Sequence, residues 1–245
     1  MYNLVDNSLL QSFTYGFLIK ILLILNGQFV TINTTDESVG FVERRKNLDR
    51  QPKSQARFSR ILDAATTVFS QKGYRDAAVD DIAVESQTSK GGIYFYFPNK
   101  QAIFLVLLEK MAGLLRSRAE TAMDQEPDML KKGDAALQTM LQTFASHRTL
   151  TRLFLVEALG AGREFNDRMM EIHASFSQLI KDYLDQAVKS GTIAPLNTDI
   201  ASVAWFGAVN EVVTRWVLTG QPDQLEDAYP ALRELLRRSI GLTEQ

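Results

Sequence analysis

The stretch Gly73–Lys100, GYRDAAVDDIAVESQTSKGGIYFYFPNK, decides the fold. Two short apolar-periodic segments flank a tight break, and the run Ser89-Lys90-Gly91-Gly92-Ile93-Tyr94 opens the second. That is the pattern of a helix-turn-helix whose second helix enters a DNA groove. Val79, Ile82 and Ala83 mark the first helix, and Asp80 and Asp81 sit in its first turn, where the helix dipole favours negative charge. Ser89 can cap the second helix, which runs through Tyr96. Pro98 stops it, and Asn99 is placed to cap the next.

Working outward, Phe58, Ile61, Leu62, Ala65, Val68 and Phe69 recur at three and four, giving a helix over about residues 55–71 that Gly73 ends. A recognition helix offers its N-terminal side chains to base edges, here Thr88, Ser89 and Lys90. Gly91 and Gly92 lower helix propensity but let the backbone approach a phosphate or base. Tyr94 and Tyr96 are candidates to place hydroxyls on phosphates, with the charge of Lys100 beside them. Arg44, Arg45, Lys46, Arg50, Lys53, Arg57 and Arg60 precede the motif against only Glu43 and Asp49. This reads as a basic arm for electrostatic capture of DNA, although a charge run is more often a solvated face.

The rest of the 245 residues constrains the function class. Net charge is −2, so any nucleic-acid surface is local. Absence of cysteine removes disulfides and thiolate metal sites and suits a reducing cytoplasm. His147 and His173 are the only imidazoles, and no nucleophile, acid–base pair or third metal ligand lies at useful spacing. No enzyme activity and no cofactor are expected. Residues 1–40 form an apolar extension, densest over Leu9–Leu25, with Lys20 in its middle. It is marginal for a membrane span and lacks the basic start and small-residue cleavage site of a secretory signal. Two readings stay open: an extension outside the protein proper, from a misassigned start or disordered, or an anchor followed by Arg44, Arg45 and Lys46.

From residue 101 to 245 the chain reads as helices throughout, so the fold class is all-α, with residues 41–100 as arm and DNA-binding head. Helices are expected over about 101–123, around Ala135–Phe144, over Leu150–Leu159, from Phe165 to Gly191 in near-heptad steps, from Thr198 to Gly220, and over about 225–240. Two long apolar helices near the end would expose faces on a monomer, and a two-fold partner is the simple remedy. Ala201, Trp205, Ala208, Val212 and Trp216 are the candidates for that homodimer face, though each Trp alone is more simply core. Asn210 is out of place in so apolar a helix and is read as a partner for a second copy or a ligand.

The head resembles the TetR family of bacterial one-component regulators. The resemblance rests on Ala64-Ala65, Phe69, Gly73-Tyr74, Val79-Asp80-Asp81-Ile82-Ala83, Ser89, Gly92-Ile93-Tyr94, Phe97, Lys100 and Ile103. The chain departs from the family at Gln87, where glycine relaxes the turn, and at Ala78, where threonine caps the helix; Gln87 is therefore expected in a left-handed conformation. The run Trp205–Gly220 and the helix before it are similar to the sensor domain of acyl-CoA-responsive repressors of fatty-acid degradation. These resemblances imply a ligand-responsive homodimer that binds a palindromic double-stranded DNA operator and is released by a small apolar effector such as a long-chain acyl-CoA. Phe144, Phe154, Met169, Met170 and Phe176 would line the effector cavity, with Arg148, Arg152, Arg163 and Arg168 near the coenzyme A phosphates.

Overall fold

The computed structural model describes residues 52–158 and 161–242. The apolar segment 9–25 and the basic residues 44–50 lie outside the described residues, and with them the anchor reading and most of the arm. Among the described residues every regular element is helical, and no helix is long and apolar enough to cross a membrane. The chain divides into two units, Met1–Phe58 and Ser59–Gln245. The described part of the first is the opening of helix α1 (Pro52–Asp76), on which Lys53 and Arg57 are exposed.

In the second unit the quoted stretch folds as its caps dictate. Gly73 takes φ 75° and ψ 164°, outside the helical region and open in practice to glycine, so α1 breaks where expected and one further turn follows. Helix α2 (Val79–Glu85) and helix α3 (Lys90–Tyr96) come next, and the Ser89 hydroxyl accepts the Gly92 amide at 3.1 Å. Ile82, Ile93 and Phe97 are fully buried, as are Ile61, Ala65 and Phe69 of α1. Ala78 has no side chain to cap α2; instead Asp81, three residues on, accepts the Ala78 amide at 3.0 Å, the half of a capping box that alanine leaves possible. Between the helices Gln87 sits at φ 50°, the left-handed conformation its sequence context called for.

Helix α4 (Lys100–Asp124) starts on the Asn99 cap, whose side chain accepts the Ala102 amide at 2.8 Å. The boundary drawn at residue 100 therefore falls inside one unit, because α4 continues from the head into the body with Ile103, Phe104 and Leu107 buried. Helix α5 (Met129–Ser146) opens on Asp128 and packs along α4. Helix α6 (Arg148–Arg152) passes into a π-helical turn, Leu153–Glu157, where one regular helix was expected. Helices α7 (Arg163–Lys189) and α8 (Thr198–Thr219) pack against each other, and Gly220 closes α8 at φ 74°. The last helix also departs from the simple reading: Leu225–Ala228 is a 3-10 turn, and α9 (Tyr229–Ser239) begins only where Pro230 needs no amide partner. Asp134 of α5 binds Arg233 at 2.9 Å and Arg237 at 2.6 Å, which ties α9 to the bundle.

Gln87 gives a test of the head. A left-handed residue with a Cβ costs about 1–2 kcal/mol, and a β-branched one more. Gln87→Val should lower the thermal midpoint by about 2–4 °C in a calorimetric scan, while Gln87→Gly should leave it level or raise it. The reverse order would show that the turn is not held in this conformation.

Candidate DNA-contact surface and effector cavity

The head presents a mixed surface. Ser89 spends its hydroxyl on the cap, and Thr88 donates its own to the Ser86 carbonyl at 3.2 Å. The two glycines have different jobs. A Cβ on Gly92 would lie 2.8 Å from Thr88 Cγ2, so that glycine lets the turn close. A Cβ on Gly91 would meet nothing within 4 Å, so only this one leaves the backbone open to an approaching backbone or base. Lys90 holds Asp80 at 2.9 Å with both side chains more than half exposed, a weak pair that an incoming phosphate can replace. The Asp80 hydrogen bond, then its charge, raises the Lys90 pKa, so the cation is present at neutral pH. Tyr94 is 46% exposed. Val84 (81%) and Phe95 (51%) are exposed beside these residues and were not singled out from sequence. Each is an apolar residue next to an inward one, and that out-of-phase placement was the available signal.

Two assignments change. Tyr96 is only 5% exposed and belongs to the core of the head. Lys100 does not offer a charge to phosphate: its ammonium donates to the carbonyls of Tyr74, Arg75 and Ala77 at 2.7, 3.0 and 2.8 Å and lies 4.6 Å from the Tyr74 ring centroid. It closes the end of α1, where unpaired carbonyls and the helix dipole attract a cation. Arg57 lies in the first unit and is exposed there.

The body holds a partly open cavity of about 110 Å³ between α4, α5, the π-helical turn, α7, α8 and α9. Phe144, Phe154 and Phe176 line it, joined by Leu115, Met123, Met140, Phe206 and Val209. Among the described residues no Asp, Glu, Lys or Arg does. A Cβ on Gly133 would come within 2.7 Å of the Tyr183 hydroxyl oxygen, so that glycine lets the tyrosine lie across the lining. Burial, then the charge of Asp134, pushes the Tyr183 pKa up to about 12. His173 and Asn210 also line the pocket, and burial pulls the His173 pKa below its ordinary value, which keeps the ring neutral.

Several other candidates lie elsewhere. Met169 is buried at 2% but outside the lining, and Met170 is 66% exposed. Arg148 stacks its guanidinium 4.6 Å from the centroid of Trp216, and Arg168 is held by Glu109 and Glu171. Arg152 and Arg163 are exposed. Of the dimer candidates, Trp216 is 4% exposed and is core, and Trp205 lines the pocket and donates to the Ser239 hydroxyl at 2.9 Å. Ala201 packs on the Tyr183–Leu184 cluster, while Ala208 and Val212 are partly covered. The exposed side of α8 carries Ile200, Val203, Gly207 and Leu218 instead. The helix is apolar on nearly every side, so sequence periodicity could not fix its phase.

The family model "Bacterial regulatory proteins, tetR family" matches residues 61–107, and "Tetracyclin repressor-like, C-terminal domain" matches residues 132–232. The chain is 26% identical over 185 residues to the fatty acid metabolism regulator protein of Bacillus subtilis (strain 168), covering 75% of this chain and 95% of that one. Among solved structures, the fatty acid degradation regulator FadR from Bacillus halodurans superposes with a TM-score of 0.69 at 25% identity, over 76% of this chain and 95% of that one. The transcriptional regulator FadR from Bacillus subtilis in complex with stearoyl-CoA gives 0.67 at 26% identity, over 73% and 97%.

The role of Lys100 separates structure from DNA contact. Lys100→Met removes a charged donor from three carbonyls and should destabilise the protein by about 1.5–3 kcal/mol in urea unfolding. The salt slope of DNA binding should stay unchanged under conditions where the variant is folded. A slope reduced by about one would return Lys100 to the phosphate-contact set.

Proposed function

For a chain that belongs to the tetR family of bacterial regulatory proteins, we propose a homodimeric transcriptional repressor released from its operator by a long-chain acyl effector, with long-chain acyl-CoA as the specific candidate. Two α3 helices would sit in successive major grooves of a palindrome, about 34–36 Å apart. Thr88, Ser89 and Lys90 would face base edges, the Gly91 backbone and Tyr94 would lie against phosphate, and Arg57 would add charge outside the groove.

The observation that carries the effector reading is the placement of α4. Its first turns bury Ile103 and Phe104 beside Tyr74, and its second half supplies Leu115, Ala119 and Met123 to the cavity wall. Helix α7 does the same in parallel: Phe165 stacks edge-on against Tyr74 at 4.9 Å and against Phe104 at 5.3 Å, while Ile172 and Phe176 line the cavity. A chain inserted into the cavity therefore pushes on both helices that hold the head. Operator affinity falls if the effector prefers the arrangement that does not fit DNA. The B. subtilis relative bound to stearoyl-CoA supports the choice of effector.

For the homodimer, the exposed stripe Ile200, Val203, Gly207 and Leu218 supplies the apolar face that a second copy would cover. Val203→Glu with Leu218→Glu should convert the dimer to monomer in light scattering and weaken operator binding. A double variant that stays dimeric moves the interface elsewhere.

The direct test is fluorescence anisotropy with DNA from the protein's own promoter region, with and without stearoyl-CoA. Tight, salt-sensitive binding released by stearoyl-CoA is the expected result. Binding indifferent to it removes the acyl effector but leaves the regulator.

A further inference from the structure

Within the cavity, four lining side chains carry nitrogen or oxygen: His173, Tyr183, Trp205 and Asn210. Trp205 donates to Ser239, and Tyr183 lies packed against Gly133, which holds its ring in place. The side chains of His173 and Asn210, like the Tyr183 hydroxyl, have no hydrogen-bond partner among the described residues. The His173 ring only stacks on Phe206, 4.8 Å between centroids, and Asn210 stands one helical turn beyond Phe206 on α8. Both line the same cavity, His173 from α7 and Asn210 from α8.

Polar side chains left unpartnered in an apolar wall are a cost unless something else binds them. Water can serve an empty pocket, but an apolar chain that fills the space expels it. The occupant must then bring its own acceptor. It must also be uncharged there. Among the described residues no cation lines the cavity, and several arginines of the body are engaged elsewhere: Arg116 with Glu120 and the Ser175 carbonyl, Arg168 with its two glutamates, Arg148 with Trp216. A carboxylate buried between a neutral imidazole and a carboxamide would lack a countercharge, whereas a carbonyl oxygen accepts one N–H from each.

We propose that His173 and Asn210 are the specificity-determining pair of the effector cavity, two donors that fix the uncharged carbonyl of an acyl ester or thioester and discriminate against the free carboxylate. This rests on the acyl-effector reading above and names the group the cavity reads. The apolar lining sets affinity for the chain. The pair sets which end group is allowed and how far the chain enters.

The test uses the full chain at pH 7.5 and the emission of Trp205, which lines the cavity while Trp216 does not. Methyl dodecanoate, dodecanoate and dodecane are titrated separately. The ester should bind best, with the carboxylate at least about tenfold weaker. Asn210→Leu and His173→Leu should each weaken the ester about three- to tenfold and leave dodecane unchanged, so that the alkane reports an intact cavity. His173→Gln, which keeps a donor, should retain more of the ester preference than His173→Leu. The pair is overturned if dodecanoate binds as tightly as the ester, or if the ester-to-dodecane ratio is the same in the wild type and the leucine variants. In either case dodecane binding leaves the acyl-effector reading standing. If none of the three ligands perturbs Trp205, both readings fall.

Discussion

The ammonium of Lys100 holds the working parts of this protein together. Gly73 breaks α1 and leaves carbonyls facing out of a helix end, and the first residue of α4 returns to satisfy three of them at once. The same cation lies over Tyr74, whose ring meets Phe104 at 4.8 Å and Phe165 at 4.9 Å. One charged group thereby fixes the end of α1, the start of α4 and, through the aromatic rings, the start of α7. Without it the helix-turn-helix would still have caps, but its attachment to α4 would rest on apolar packing, which is not directional. Hydrogen bonds to a charged donor carry direction, and direction is what two recognition helices need to keep a fixed spacing.

The cavity follows from a second constraint, that helices of ordinary apolar composition have been kept from closing on one another. Gly133 lets α5 pass under Tyr183 rather than pushing it aside. The π-helical turn at Leu153–Glu157 inserts an extra residue into the ladder and brings Phe154 to the lining, while Glu157 lies close to Gly73 in the head. Hydrogen bonding is looser in such a turn, and it occurs here where the bundle must bend around empty space.

Much of the fold was legible because the chain announces its helix ends. Ser89 and Asn99 cap where their side chains allow, and Gly73 and Gly220 stop helices where only glycine is comfortable. Even the departure at Gln87 could be read, because a turn that normally holds glycine forces a left-handed residue. The site was less legible, for reasons of range and phase. Nothing local to Lys100 reveals carbonyls 23 to 26 positions earlier, so a buried-end cap looks like a surface charge. Tyr94 and Tyr96 differ by two positions, which on a helix is enough to place one outside and the other in the core. On α8, apolar residues on nearly every side erase the periodic signal, so the sequence leaves Trp216 a candidate for the dimer face as well as for the core, and it lies under Arg148. Nothing local to His173 reveals the cavity it lines, because its neighbour Phe206 comes from another helix.

These constraints also say what a signal through this molecule must be. An effector that fits equally well with the head in either position changes nothing, however tightly it binds. Differential affinity requires that cavity shape and head position be mechanically linked. Here the link is short: the helices that form the wall also carry Phe104 and Phe165, whose rings close on Tyr74. Interlocked rings do not deform continuously, because displacing one of the three opens a void that the others cannot fill without changing their own packing. In the proposed mechanism, a small displacement of α4 or α7 by a bound chain would be resisted and then released as a shift of the whole contact, with Lys100 carrying the end of α1 along. On that mechanism the stiffness of the cluster, more than the size of the cavity, would determine how much binding free energy reaches the DNA.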